Sequence, residues 1–298
     1  MIIKKIALAG ICFSLGLLPA CESPFDPGDL KESRMAISAT CSPTQGFLVF
    51  VSPVTPLIDH SETDLIENAT VNLYSGGQFL SALTLAMLGD RKVFYSAQKP
   101  QDGFTYTLEI EAPGYISLDV SDRQPGKPDA TLKGYTDLQK VDLPEGDTRY
   151  VAIVEIEIND RPIESNFYHL YLEAHLLDSN NNRFFTLAAL TNAENNDASL
   201  TPYVLNQSLL VDGNAFDGLS KQIKVRVEFS FPAGLLFQDL QMDMRQVSSA
   251  YYQFHKSHIA QLNNGSNPVA EPFALYTNVN NGYGFFGGFN STRDTLTF

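Results

Sequence analysis

Tryptophan is absent from all 298 residues, although 20 Phe and 13 Tyr are present, so the ring most used for stacking on sugars and cations is missing. Basic residues are scarce as well: 20 Lys and Arg stand against 34 Asp and Glu, for a formal net charge of −14. A protein that grips nucleic acid by its phosphates needs a basic face to displace counterions, which excludes nucleic acid as a partner. Three cysteines cannot form a disulfide scaffold. No Gly-x-Ser-x-Gly elbow and no Cys-x-x-Cys pair is spelled anywhere, so hydrolase and thiol-redox readings have no anchor. What remains, 44% hydrophobic and 18% charged, suits one or two globular domains and not a disordered chain.

The amino terminus carries the clearest address. Met1-Ile2-Ile3-Lys4-Lys5 gives a basic start, and Ile6 to Leu18 follows without a charge, the layout of a secretory signal and too short a run to span a bilayer stably. It closes on Leu17-Leu18-Pro19-Ala20-Cys21, which resembles a bacterial lipobox, with Pro19 as a departure from the usual residue. Residues 1–20 are therefore expected to be a lipoprotein signal peptide, and Cys21 the lipidated first residue of a tether over 21–34. Two or three acyl chains hold a protein durably where one does not, so the expected first partner is a membrane, reached through the N-terminal lipid. Cleavage would remove Lys4, Lys5 and Cys12 and deepen the net charge from −14 to −16. Cys41 is then the one unmodified thiol, expected to be buried in a strand.

Beyond the tether, period-two alternation dominates and marks strands with one buried face. Phe104, Tyr106, Leu108 and Ile110 alternate with Thr105, Thr107, Glu109 and Glu111; Ile223, Val225, Val227, Phe229 and Phe231 alternate with polar residues in the same way. Ser75-Gly76-Gly77-Gln78 reads as a hairpin turn, since paired glycines supply the positive φ it needs. Two prolines and a glycine interrupt the pattern between Asp122 and Asp129. The chain is thus expected to be mostly β: an Ig- or transthyretin-like β-sandwich over 35–124, then a second β-rich domain over 125–298. One segment has helical spacing, Tyr251, Phe254, His258, Ile259 and Leu262 after a capping Ser248, placing one helix near 248–263.

Candidate chemistry is thin. Gly282-Tyr283-Gly284-Phe285-Phe286-Gly287 spells the dinucleotide fingerprint, but only eleven residues follow it, too few for the strand and helix that motif serves. His255 and His258 stand one helical turn apart without the intervening Glu of a zinc protease. His169, Glu173 and His175 share a strand face, yet at about 3.3 Å per residue His169 lies roughly 13 Å from Glu173, so only Glu173 and His175 could share an ion. Glu155 and Glu157 point to one face and read as a solvated pair. No catalytic residue, cofactor or metal is expected. Tyr283, Phe285 and Phe286 are candidates for an aromatic contact patch, with core packing as the alternative, and Asp294-Thr295-Leu296 matches a short glycosylation-like pattern.

The lipobox at Cys21, the sandwich-like first half and the closing segment together resemble a Bacteroidota outer-membrane lipoprotein family catalogued as domain of unknown function 4249. The closing segment carries most of the likeness: Ser248 to Tyr252 and the helix, Asn267-Pro268, Glu271-Pro272-Phe273, Tyr276-Thr277-Asn278-Val279 and the Gly282 to Gly287 bend. The resemblance implies an outer-membrane lipoprotein, on the cell surface or periplasmic face, often encoded beside a TonB-dependent transporter, and brings no activity with it. The function expected is a non-enzymatic accessory or ligand-capture partner of such a transporter, its ligand open. The alternatives are a cell-envelope hydrolase or metal-dependent enzyme without a recognisable motif, and a surface adhesion or structural module.

Overall fold

The computed structural model describes residues 33–54, 65–162, 165–193, 197–264 and 274–298, and Glu32–Phe298 form one compact unit. The signal segment, Cys21 and nearly all of the tether lie outside the described residues, as do Asn267-Pro268 and Glu271-Pro272-Phe273. The protein is mostly β. Strands β1 (Met35–Ser42), β2 (Gly46–Pro53), β3 (Thr70–Ser75), β4 (Gln78–Ala82), β5 (Thr84–Leu88), β6 (Arg91–Ser96), β7 (Thr105–Glu111) and β8 (Leu118–Arg123) come first. Then follow β9 (Asp129–Asp142), β10 (Thr148–Asn159), β11 (Phe167–Leu177), β12 (Arg183–Leu187), β13 (Ala189–Asn192), β14 (Leu200–Tyr203), β15 (Ser208–Asp212), β16 (Ser220–Phe231) and β17 (Leu236–Val247). The helix α1 (Ser249–Asn264) and β18 (Tyr283–Leu296) complete the chain.

A ten-stranded sheet runs in the order β14-β15-β11-β17-β18-β1-β2-β6-β5, with β12 paired beside β11. Two four-stranded sheets, β4-β3-β7-β8 and β13-β16-β10-β9, share cores with its two halves. In the first core Ile37, Phe47 and Val49 of the long sheet meet Leu73, Leu108 and Val120. In the second, Leu170, Leu172, Met242 and Met244 meet Val154, Ile156, Val225 and Val227. These are the residues at every second position of their strands, because successive side chains leave a strand on opposite faces. Burying each large one contributes about 1.5–3 kcal/mol.

Strand β18 belongs to both halves. Tyr283 to Gly288 pair parallel with β1, and Phe289 to Leu296 pair antiparallel with β17. The glycines of this strand are each needed. Gly284 has φ +95°, and a Cβ there would collide with the carbonyl oxygen of Ile37. A Cβ on Gly287 would lie 2.7 Å from Cβ of Tyr251, so its absence lets α1 lie directly on the strand. The fingerprint-like spelling is therefore a packing pattern.

The other local expectations have physical counterparts. Gly76 and Gly77 take φ +56° and +78° between β3 and β4. Cys41 is 2% exposed in β1. Ser248 Oγ accepts the Tyr251 N–H at 3.2 Å and caps α1. Phe104 departs from the expected alternation: it precedes β7, its N–H turning back to Gln101 after Gly103 at φ +81°, and its ring is 52% exposed.

Candidate functional site

Helix α1 lies on the outer face of the long sheet, its Tyr251, Tyr252 and Ile259 packed among Phe167, Leu210, Phe285 and Phe289. Phe285 is 4% exposed and stacks on Phe254 with ring centroids 4.0 Å apart. Phe286 is fully buried on the opposite face, 6.5 Å from the Phe47 ring. Two of the three rings expected to form a contact patch are thus core residues, because α1 covers one face of β18 and the first core covers the other. Only Tyr283, 48% exposed and beside Arg34, reaches solvent.

Beneath the helix lies a polar network. His169 is fully buried, with Nδ1 3.1 Å from the Tyr251 hydroxyl and Nε2 2.8 Å from Ser208 Oγ. Burial first, then neighbouring His255 and Arg245, hold it well below the ordinary histidine value and therefore neutral. Burial first, then His258 and Arg245, push His255 down to about 3. Among the described residues its Nδ1 has no hydrogen-bond partner. His258 bonds to the Tyr203 hydroxyl, and Arg245 joins Asp243 through Nε and Nη2 at 2.9 and 2.8 Å while its guanidinium covers Tyr171 and Phe289. His258 thus ties α1 to Tyr203 of β14, while His255 packs its ring near His169, Tyr203 and Phe285.

The strand trio separates as its spacing demands. His169 is inside, whereas His175 faces outward with Nδ1 3.0 Å from Asp239 and Nε2 3.8 Å from Glu173. Asp239 comes from β17, directly across the ladder from His175. Among the described residues no group of three or more His, Cys, Asp or Glu side chains is arranged to hold a metal. Of the two paired acids, Glu157 is bound by Lys133 at 2.5 Å, which lowers its pKa, and Glu155 sits opposite Lys224.

A polar recess lies elsewhere, where the two halves meet at the N-terminus of α1. A cavity of about 640 Å³ is lined by Asp102, Asp122, Arg123, Arg161, Asn166 and Ser249, among others. A second, of about 680 Å³, runs along the first half past Gln78, Gln98, Gln101 and the exposed Phe104. Asp102 and Gly103 line both, so the second adjoins the first, which forms a polar groove. Its floor is built and internally bonded. Gln246 donates to Asn166 at 2.5 Å, Asn290 donates to Asp102 at 2.9 Å, and the fully buried Gln124 donates to the Phe289 carbonyl at 2.9 Å. Asp122 is raised to about 6 by burial, against the lowering effect of bonds from Ser248, Gly288 and Arg123. Sequence reading missed this groove, since Asp102, Asp122 and Ser249 are more than a hundred residues apart at the extremes and none stands in a motif.

Two β cores share a strand, one helix covers the outer face of that strand, and a polar groove lies between the cores. The chain belongs to the family described as domain of unknown function (DUF4249), whose model matches residues 22–295. No curated protein matches the chain.

Proposed function

We propose that this protein is a non-enzymatic lipoprotein, held at the outer membrane through Cys21, that captures a polar ligand for a TonB-dependent transporter or steadies that transporter's complex. The observation that supports the reading is the polar groove lined by Asp102, Asp122, Arg161 and Asn166, with a second recess adjoining it at Asp102 and Gly103. Its walls offer amides, hydroxyls and charges of both signs, which donate and accept hydrogen bonds, on loops and strand ends held by the two cores. A strongly acidic body on a tether also stays off anionic headgroups and remains free to meet a partner.

The test is to recover the full chain from its own cell envelope and identify the small molecules that elute with it by mass spectrometry. Ser249 is exposed at the groove wall, so Ser249→Trp fills the space without touching a core. The reading expects a polar compound bound to the native chain and lost from the variant; a native chain that carries nothing, or the same compound on both, would contradict ligand capture.

A further inference from the structure

The outer edge of the first half is unusual for an acidic protein. Strand β5 is the last strand of the ten-stranded sheet and, among the described residues, pairs on one side only, with β6. The run Gln78 to Leu88, which also forms edge strand β4, contains neither a charged residue nor a proline. Within it Phe79, Leu85, Met87 and Leu88 are 57, 40, 61 and 56% exposed. Natural sheets guard such edges with Lys, Pro, bulges or covering loops, because an open edge templates another strand.

The backbone says which strand fits. A two-residue turn, Gly89-Asp90, joins β5 to β6, and Leu88 faces Arg91 as its closing pair. That pair exchanges both backbone bonds, so alternation turns the N–H and C=O of Leu88, Ala86 and Thr84 toward β6 and those of Leu85 and Met87 outward. An antiparallel strand centred on Ala86 would set Leu85 against a Met87 and Met87 against a Leu85, the sequence of this same edge reversed. The edge is therefore complementary to itself. Charge agrees: the hairpin's flanking Glu67, Asp90, Arg91 and Lys92 cancel, with Lys92 2.5 Å from Glu67, so two copies meet here without the repulsion that a net −14 imposes elsewhere. We propose that two copies of this chain pair edge to edge through β5, antiparallel about a two-fold axis at Ala86.

In that register Ala86 faces its own copy as a non-hydrogen-bonded pair, with Cα atoms about 4.5 Å apart, close enough for a disulfide. The experiment is oxidative cross-linking of the full chain in intact envelopes, with Ala86→Cys compared against the native chain and against Asn180→Cys on a distant exposed loop. Ala86→Cys is expected to give at least tenfold more disulfide-linked dimer than either, and adding Leu85→Lys with Met87→Lys to remove it. Cross-linking of Ala86→Cys no greater than that of Asn180→Cys, or a dimer that survives both lysines, would overturn the pairing. All four positions lie outside the core, so the variants keep their fold.

Discussion

The carboxylate of Asp122 accepts the backbone N–H of Gly288 at 2.7 Å, tying the end of β8 in the first half to the point where β18 leaves β1 for β17. Ser248, the cap of α1, donates to the same carboxylate. One acid thus joins the first sheet, the shared strand and the helix at the floor of the groove.

That position makes stability depend on pH. The folded-state pKa of Asp122, about 6, lies above its ordinary 3.8, so the folded chain keeps a proton that the unfolded chain releases. The contribution is present below about 3.8 and is lost as pH rises through about 6, on the order of 3 kcal/mol over the whole window. Asp122→Asn should flatten this slope in chemical denaturation curves taken from pH 4 to 7. An unchanged slope would mean that the carboxylate is solvated.

His255 acts in the opposite sense. Its folded-state pKa of about 3 lies below the ordinary 6.5, so its contribution is present above about 6.5 and is lost as pH falls toward 3. Among the described residues its Nδ1 has no hydrogen-bond partner, and its ring lies 4.4 Å from Tyr251 and 5.7 Å from Phe285, surroundings that accept a phenyl ring. His255→Phe should therefore gain about 1–2 kcal/mol over the native chain at pH 5 and little at pH 8, measured by the same denaturation series. A gain that is equal at both values would assign the effect to packing alone.

Two glycines with nearly equal φ separate strain from collision. Gly234 has φ +89° with open space around its Cβ position, whereas Gly284 has φ +95° against the Ile37 carbonyl. Gly234→Ala should cost about 1 kcal/mol. Gly284→Ala should cost more than about 4 kcal/mol, because β1 and β18 can no longer pair. Equal melting temperatures for the two variants would show that the strands separate easily.

The sequence reveals elements more readily than neighbours. Alternation at Ile223 to Phe231 and helical spacing from Tyr251 are local, and both segments adopt the structures their periods dictate. The parallel pairing of Ala36 with Tyr283 is invisible to such reasoning, since period two gives a strand its faces and leaves its edges unassigned. The same limit applies to the aromatic bend: Phe285 and Phe286 read equally well as surface or core until α1 is known to lie on that strand. Asn278 shows another gap. Its amide donates to the Phe286 carbonyl at 2.9 Å and accepts the Phe286 N–H at 3.1 Å, a side chain serving as a strand edge, which no sequence period signals.

The anchor has its own check. Cys21→Ser should move the chain from the membrane pellet to the soluble fraction, because the acyl chains supply the durable attachment. Continued sedimentation with membranes would show that something other than N-terminal lipid holds it.

Capture of the full native chain from mildly detergent-solubilised envelopes, with quantification of the proteins that come with it, tests the proposed transporter partner directly. A TonB-dependent transporter recovered in near-stoichiometric amount is the predicted result. Recovery of the chain with its lipid and ligand but without any transporter would contradict it.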